Sequence, residues 1–137
     1  MTDLEINKEI IRRFNREVIE QGNHDSFVQL MNSDFINQTA PPSANNAEEM
    51  WNMFSVILRP AFSDLTVEIQ DQIAEDDKVT TRKTITGIHT GILMGVEPTG
   101  KKVKIDVIDI VRLKNGKYAE HWGINTLQSV LAELKKG

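Results

Sequence analysis

The 137-residue chain has no cysteine. That removes disulfides, thiolate nucleophiles and cysteine-bound zinc from consideration at once. It also lacks a concentrated basic run: Lys101-Lys102 and Lys135-Lys136 are isolated, and 16 basic against 20 acidic residues leave a net charge of −4. Nucleic-acid binding is disfavoured, because phosphate contacts need a dense positive surface. No apolar run approaches the roughly 20 residues that span a bilayer. The start, Met1-Thr2-Asp3-Leu4-Glu5, has neither the basic nor the apolar region of a secretory signal. A cytoplasmic address and no membrane partner are the expectations. Three histidines scattered over three segments give no metal-ligand spacing, and phosphate loops, dinucleotide glycine motifs and G-x-S-x-G are all missing. No metal and no cofactor are expected.

What is present is an ordinary globular composition, 39% hydrophobic and 26% charged, over a length that suits one domain spanning 1–137. The first helix is expected to start at Thr2 with a T-x-x-E capping box to Glu5. Ile6, Ile10, Phe14 and Val18 form its stripe, Arg12, Arg13, Arg16 and Glu17 its other side, and Gly22 its stop. A short helix starting around Asp25 or Ser26 buries Phe27, Leu30 and Met31. Residues Asp34 to Thr39 form a short strand or an extended crossing. Asn45-Asn46 caps a third helix carrying Met50, Trp51, Phe54, Ile57 and Leu58, which ends or kinks near Arg59 because Pro60 follows.

From Leu65 the period becomes alternating. Leu65, Val67 and Ile69 share a side, with Ile73 extending the row; Asp76-Asp77 turns the chain, and Val79 to Thr90 forms a threonine-rich strand. An irregular connection runs over Gly91 to Gly100. The longest pattern is a hairpin from Val103 to Asn125, turned at Asn115-Gly116. Leu127 to Leu134 closes the chain as an amphipathic helix. Helices followed by four successive antiparallel strands predict an α+β fold, with a curved antiparallel sheet wrapped on the N-terminal helices and a pocket at its open end.

In the hairpin's first strand, Asp109 is a lone carboxylate in a row with Val103, Ile105, Val107 and Val111. Along the second strand, Ala119, His121, Gly123 and Asn125 share one side, and Tyr118, Glu120, Trp122 and Ile124 the other. Asp109 and His121 are therefore candidates to meet as an acid/base pair. Burial would raise the Asp109 pKa unless a partner opposes it, and the alternative is a structural hydrogen bond. His89, at a strand end, sits at a pocket mouth or is simply exposed. Trp51 and Trp122 are candidate pocket aromatics or core, and Arg112 with Glu120 suggests an exposed cross-strand ion pair.

Several stretches together resemble the SnoaL-like polyketide cyclase, or ester cyclase, family of the nuclear-transport-factor-2-like superfamily. They are N-K-E-I-I-R-R-F at 7–14, A-F-S-D-L at 61–65, G-I-H-T-G at 87–91, M-G-V-E-P-T-G-K at 94–101, and D-I-V-R-L-K-N-G-K with E-H-W in the hairpin. The resemblance implies a cone-shaped α+β barrel and a homodimer. It further implies ring closure of a small apolar, carbonyl-containing molecule by intramolecular aldol chemistry without metal or redox cofactor. Candidate catalytic residues are Asp109 and His121; candidate substrate-binding residues are Trp51, His89, Gln38, Phe14 and Trp122. The family's acid/base aspartate aligns with Gly123, and Gln38 stands where related ester cyclases commonly place a histidine. A non-catalytic binding or dimerisation domain, and a hydrolase acting on a small ring or ester, are the alternatives.

Overall fold

A computed structural model describes residues 2–136. Helix α1 (Asp3–Arg13) begins where Thr2 Oγ1 accepts the Glu5 amide at 3.2 Å. The capping box is only half made, because the Glu5 carboxylate turns to Lys8 instead. The helix continues in wider π-type turns over Phe14–Glu20, and its inner side buries Ile11, Phe14, Val18 and Ile19. Helix α2 (His24–Leu30) starts earlier than expected, since Asn23 is the cap and accepts from Ser26 N at 3.1 Å. Met31 leaves the helix and opens strand β1 (Met31–Asn37).

Helix α3 (Ala47–Asn52) is capped by Asn46, as its sequence predicts. The backbone then stays helical through Met53–Leu58 and Arg59–Ala61, changing turn type at Arg59 and ending just beyond it, near where Pro60 leads one to expect. The π-type turns before Arg59 place Pro60 in a new first turn, where its missing N–H costs nothing. Strands β2 (Phe62–Glu75), β3 (Lys78–His89), β4 (Lys102–Lys114) and β5 (Lys117–Asn125) follow, and helix α4 (Leu127–Lys135) packs Leu127, Leu131 and Leu134 inward.

The sheet order is β1-β5-β4-β3-β2, with open edges at β1 and β2. The four later strands are antiparallel, as expected. The segment around Asp34 is a true strand, and β1 pairs parallel to β5, so the five-stranded sheet is mixed. The β4–β5 turn at Asn115 (φ 55°) and Gly116 (φ 74°) has both central residues left-handed, the geometry that matches strand twist.

Two bulges correct the alternation read from sequence. One lies between Ile69 and Asp71 in β2, and it turns Ile73 outward, 69% exposed, instead of into the Leu65–Val67–Ile69 row. The other is in β5. Leu113 pairs with Tyr118 and Arg112 with Glu120, which leaves Ala119 as the extra residue. Tyr118 therefore joins the face of His121, Gly123 and Asn125 rather than that of Glu120 and Trp122. An inserted residue flips every later side chain relative to a strict two-residue count, and it bends the strand as well.

The β4 row Val103, Ile105, Val107, Asp109 and Val111 faces inward against the helices. Phe14 is the hub of that contact: it stacks on Tyr118 at 4.3 Å and meets Phe27 and Phe54 at 6.1 and 5.9 Å. Each such ring buried is worth about 1.5–3 kcal/mol. Among the described residues no helix is long and apolar enough to cross a membrane.

Candidate functional site

A cavity of about 470 Å³ opens between the concave sheet face and the helices. Phe14 and Ile19 line it from the first helix, and Met50, Met53, Phe54, Ile57 and Leu58 from α3 and its continuation. Ile85, Ile105 and Val107 line it from the sheet. The wall is mostly apolar. Its polar groups divide into Asn37, Thr39, Glu49, Asn52 and Asn125, and a set on adjacent strands: the buried Lys83 and Asp109 and the half-buried His121.

The strand register brings that set together. Asp109 on β4 pairs across from Gly123 on β5, and His121 sits one step along on the same face. His121 Nε2 lies 3.3 Å from Asp109 Oδ2. On the opposite neighbour, Lys83 projects inward from β3, with its Nζ 3.5 Å from the same oxygen. Lys83 and Asp109 are each 6% exposed, so this is a buried ion pair with an imidazole attached.

Asn15 anchors Lys83. Its Nδ2 donates to the Ile11 carbonyl at 2.9 Å, where the helix starts to widen, and this orients Oδ1 to accept from Lys83 Nζ at 2.7 Å. Burial alone pushes the Asp109 carboxyl up. The Lys83 ammonium and the His121 hydrogen bond together outweigh it, and the pKa falls below the ordinary aspartate value. The rise expected from burial is thus opposed by a partner that the sequence reading did not include. Asp109 is a carboxylate whose Oδ1 is buried with no hydrogen bond among the described residues.

His121 is oriented from its other side by Asn37, at the end of β1. Nδ1 lies 3.0 Å from Asn37 Oδ1. That oxygen also accepts from the Thr39 hydroxyl at 3.1 Å and the Thr39 amide at 3.4 Å, so it is an acceptor and Nδ1 is the donor. Nε2 is therefore the nitrogen that faces Asp109, and it donates there when it carries a proton. Thr39 Oγ1 accepts in turn from Gly123 N at 3.2 Å, tying the strand end to the loop.

Gly123 makes this arrangement possible. A Cβ there would stand 2.8 Å from His121 Cε1 and 3.4 Å from Asp109 Cβ. The imidazole thus lies over the glycine to reach the next strand. We expect Gly123→Ala to push the ring off Asp109 at a cost of about 1–3 kcal/mol. The His121 ring resonances in NMR would report the displacement, and unchanged shifts would contradict it.

Of the other residues singled out in the sequence, Phe14 lines the cavity and four lie elsewhere. Trp51 packs against Phe27 and His24, at 5.2 and 4.7 Å between ring centres, behind the cavity wall. Gln38 donates to Glu120 at 2.8 Å on the outside. Trp122 pairs with Ile110 on the outer face of the sheet. His89 is fully buried, correcting the expectation of exposure. Its Nδ1 accepts from Thr99 N at 3.2 Å and pins the connection before β4. The Arg112–Glu120 ion pair is present at 2.5 Å. Among the described residues no three His, Asp or Glu side chains converge as a metal site.

Lys83, Asn15, Asn37 and Tyr118 were missed. Lys83 carried a usable signal, being a lone cation in the alternation Val79, Thr81, Lys83, Ile85. Threonines on both faces of that strand hid which side was inward.

Comparison with known proteins agrees with this architecture. The profile of the family described as SnoaL-like polyketide cyclase matches residues 9–134. Among solved structures, TsrD from Streptomyces laurentii superposes with a TM-score of 0.84 at 20% identity, covering 98% of both chains. IdmH from Streptomyces antibioticus, described as a candidate polyketide cyclase, gives 0.80 at 24% identity over 94% of this chain and 98% of its own. AclR from Streptomyces galilaeus, described as a candidate hydroxylase, gives 0.85 at 24% identity over 98% of this chain and 84% of its own. These likenesses concern the fold. No curated protein matches the chain. With its α+β cone and a profile match over nearly its whole length, the chain belongs to the SnoaL-like polyketide cyclase family.

Proposed function

We propose that the cavity carries out cofactor-independent acid/base chemistry on a small carbonyl compound, closing a ring or isomerising it. The observation that carries this reading is the Asp109–His121 contact at 3.3 Å in the wall of a largely apolar cavity. When Nδ1 carries the ring's one proton, the Nε2 lone pair takes a proton from the carbon next to the substrate carbonyl, and the C–H electron pair becomes the enolate. The Asp109 carboxylate stabilises the imidazolium so formed. In a ring closure the enolate carbon attacks a second carbonyl of the same molecule, and Nε2 returns its proton to the new alkoxide. Proton and electrons balance with no co-reactant. The apolar wall folds the substrate and excludes water, which supplies orientation.

The test is deuterium uptake next to the carbonyl of 1-tetralone in D2O, followed by NMR. The chain is expected to accelerate exchange above buffer. A competing reading is a non-catalytic binding domain, favoured by Gly123 at the family's aspartate position. It predicts thermal stabilisation by the ketone with no acceleration of exchange, and that outcome would reject the catalytic reading.

We further propose that the outer sheet face pairs with a second copy. Ile108, Ile110 and Ile124 are 45%, 36% and 70% exposed there, at the paired positions Ile108–Ile124 and Ile110–Trp122. A contiguous apolar patch of this kind is what an interface covers. Light scattering at micromolar concentration should give twice the mass of the 15.5 kDa chain; a monomeric mass would contradict it.

A further inference from the structure

His121 Nε2 and Lys83 Nζ reach Asp109 through the same oxygen, Oδ2, at 3.3 and 3.5 Å. One carboxylate is thus shared between a proton-exchanging ring and an ammonium. Asp109 and Lys83 are each 6% exposed, so the charges meet in a region where solvent screens them little. Asn15, on the first helix, holds the ammonium there at 2.7 Å. Against the upward push of burial, the Lys83 charge is the largest single pull that keeps Asp109 ionised.

Two opposed effects meet at the ring. A carboxylate within about 4–6 Å favours the imidazolium, because opposite charges favour the charged form. Without an opposing charge, Asp109 would keep a proton on the pair to higher pH. A ring already protonated at Nε2 cannot take a proton from carbon. The Lys83 charge offsets part of that attraction, because it acts on the same oxygen from the other side.

The remaining ionisable groups around the ring supply no substitute. Among the described residues that line the cavity, Lys83 is the one cation. Glu49, on α3, is an exposed acid at the cavity wall. Tyr118, on the ring's own strand, is a phenol that burial holds neutral. Glu120, the neighbour of His121 in sequence, lies on the outside against Arg112.

Resting on the acid/base reading, we infer that Lys83 is a positioning residue for the proton transfer. Through Asp109 it limits how strongly the Asp109–His121 pair holds a proton, and so leaves Nε2 free to act as a base near neutral pH. Acid/base groups work best when they titrate near the working pH. Lys83 acts through the carboxylate and not on the substrate.

The test is a nitrogen-15 NMR titration of His121 in the intact chain, in wild type, Lys83→Gln and Lys83→Arg. Glutamine keeps a donor for Asp109 and removes the charge, whereas arginine keeps the charge. In Lys83→Gln the pair is expected to take up its proton at least about one pH unit higher, the low end of what a nearby charge does. Lys83→Arg should titrate close to wild type. The pH profile of 1-tetralone exchange gives a second readout. Its acid limb should move up by the same interval in Lys83→Gln, with the rate recovered at higher pH. A merely structural lysine would lower the rate at every pH and leave the titration in place.

An unchanged titration in Lys83→Gln, or an equal shift in Lys83→Arg, would overturn the inference. If either variant fails to fold by circular dichroism, the wild-type ring decides. Nε2 without a proton at about pH 7 upholds the inference, and Nε2 protonated there overturns it. No turnover enters the ring titration. A chain whose titration shifts as described, but which does not exchange the 1-tetralone proton, keeps this role of Lys83 and loses the catalytic reading.

Discussion

Lys83→Met is expected to destabilise the fold by about 3–5 kcal/mol at neutral pH, the usual cost of removing one partner of a buried ion pair. The loss comes less from the vanished attraction than from Asp109 left charged and 6% exposed. Its pH dependence identifies the cause. In the wild type the Asp109 pKa lies below its unfolded value. Its contribution is therefore present above the unfolded value and disappears as pH falls through the folded one. In the variant only His121 is left to oppose burial, and the pKa rises. The deficit against wild type then grows as pH climbs through and above the ordinary aspartate range, about 4. Urea unfolding at pH 4 and pH 7 should give a much smaller difference at the lower pH. The double variant Lys83→Met, Asp109→Leu should recover most of the loss, because an apolar pair of similar size is often neutral in such a place. A single variant that loses under about 1 kcal/mol at both pH values would mean that the pair does not operate as described.

The second large effect is on activity. His121→Gln is expected to lower the rate of 1-tetralone exchange by about 10²- to 10⁴-fold, the range of a lost general acid/base. The apolar cavity stays, so binding of the ketone should change little. Asp109→Asn should also slow exchange, since it removes the charge that stabilises the imidazolium. It leaves Lys83 without its counter-charge, so its stability needs measuring alongside. Full exchange activity in both variants would rule out the pair as the catalytic groups.

Much of this molecule was legible in its residues. The Asn115-Gly116 turn, the Asn46 cap and the inward row around Asp109 each follow from a local rule, and the structure keeps all three. The Asp109–His121 contact was legible only as a possibility: counted back from the turn, Asp109 stands opposite Trp122, and the extra residue at Ala119 brings His121 round to its face. That Tyr118 shares this face was not legible, since nothing in K-Y-A-E marks Ala119 as the bulged residue, and one bulge reverses which side chains share a side. Lys83 and Asn15 meet across 68 positions, and Asn37 meets His121 across 84. Such contacts depend on how far the sheet curves around the first helix, which no local pattern encodes. Trp51 and Trp122 were singled out for size and chemistry alone, and burial behind the wall or on the outer face decided their places.

The proposed chemistry turns on His121, held by Asn37 at Nδ1 and facing Asp109 with Nε2. A nitrogen-15 NMR titration of the uniformly labelled chain, with His121 assigned through His121→Gln, observes this without any substrate. Nδ1 is expected to stay protonated across the titration while Nε2 changes state. A titration in which Nδ1 loses its proton while Nε2 keeps one would contradict it.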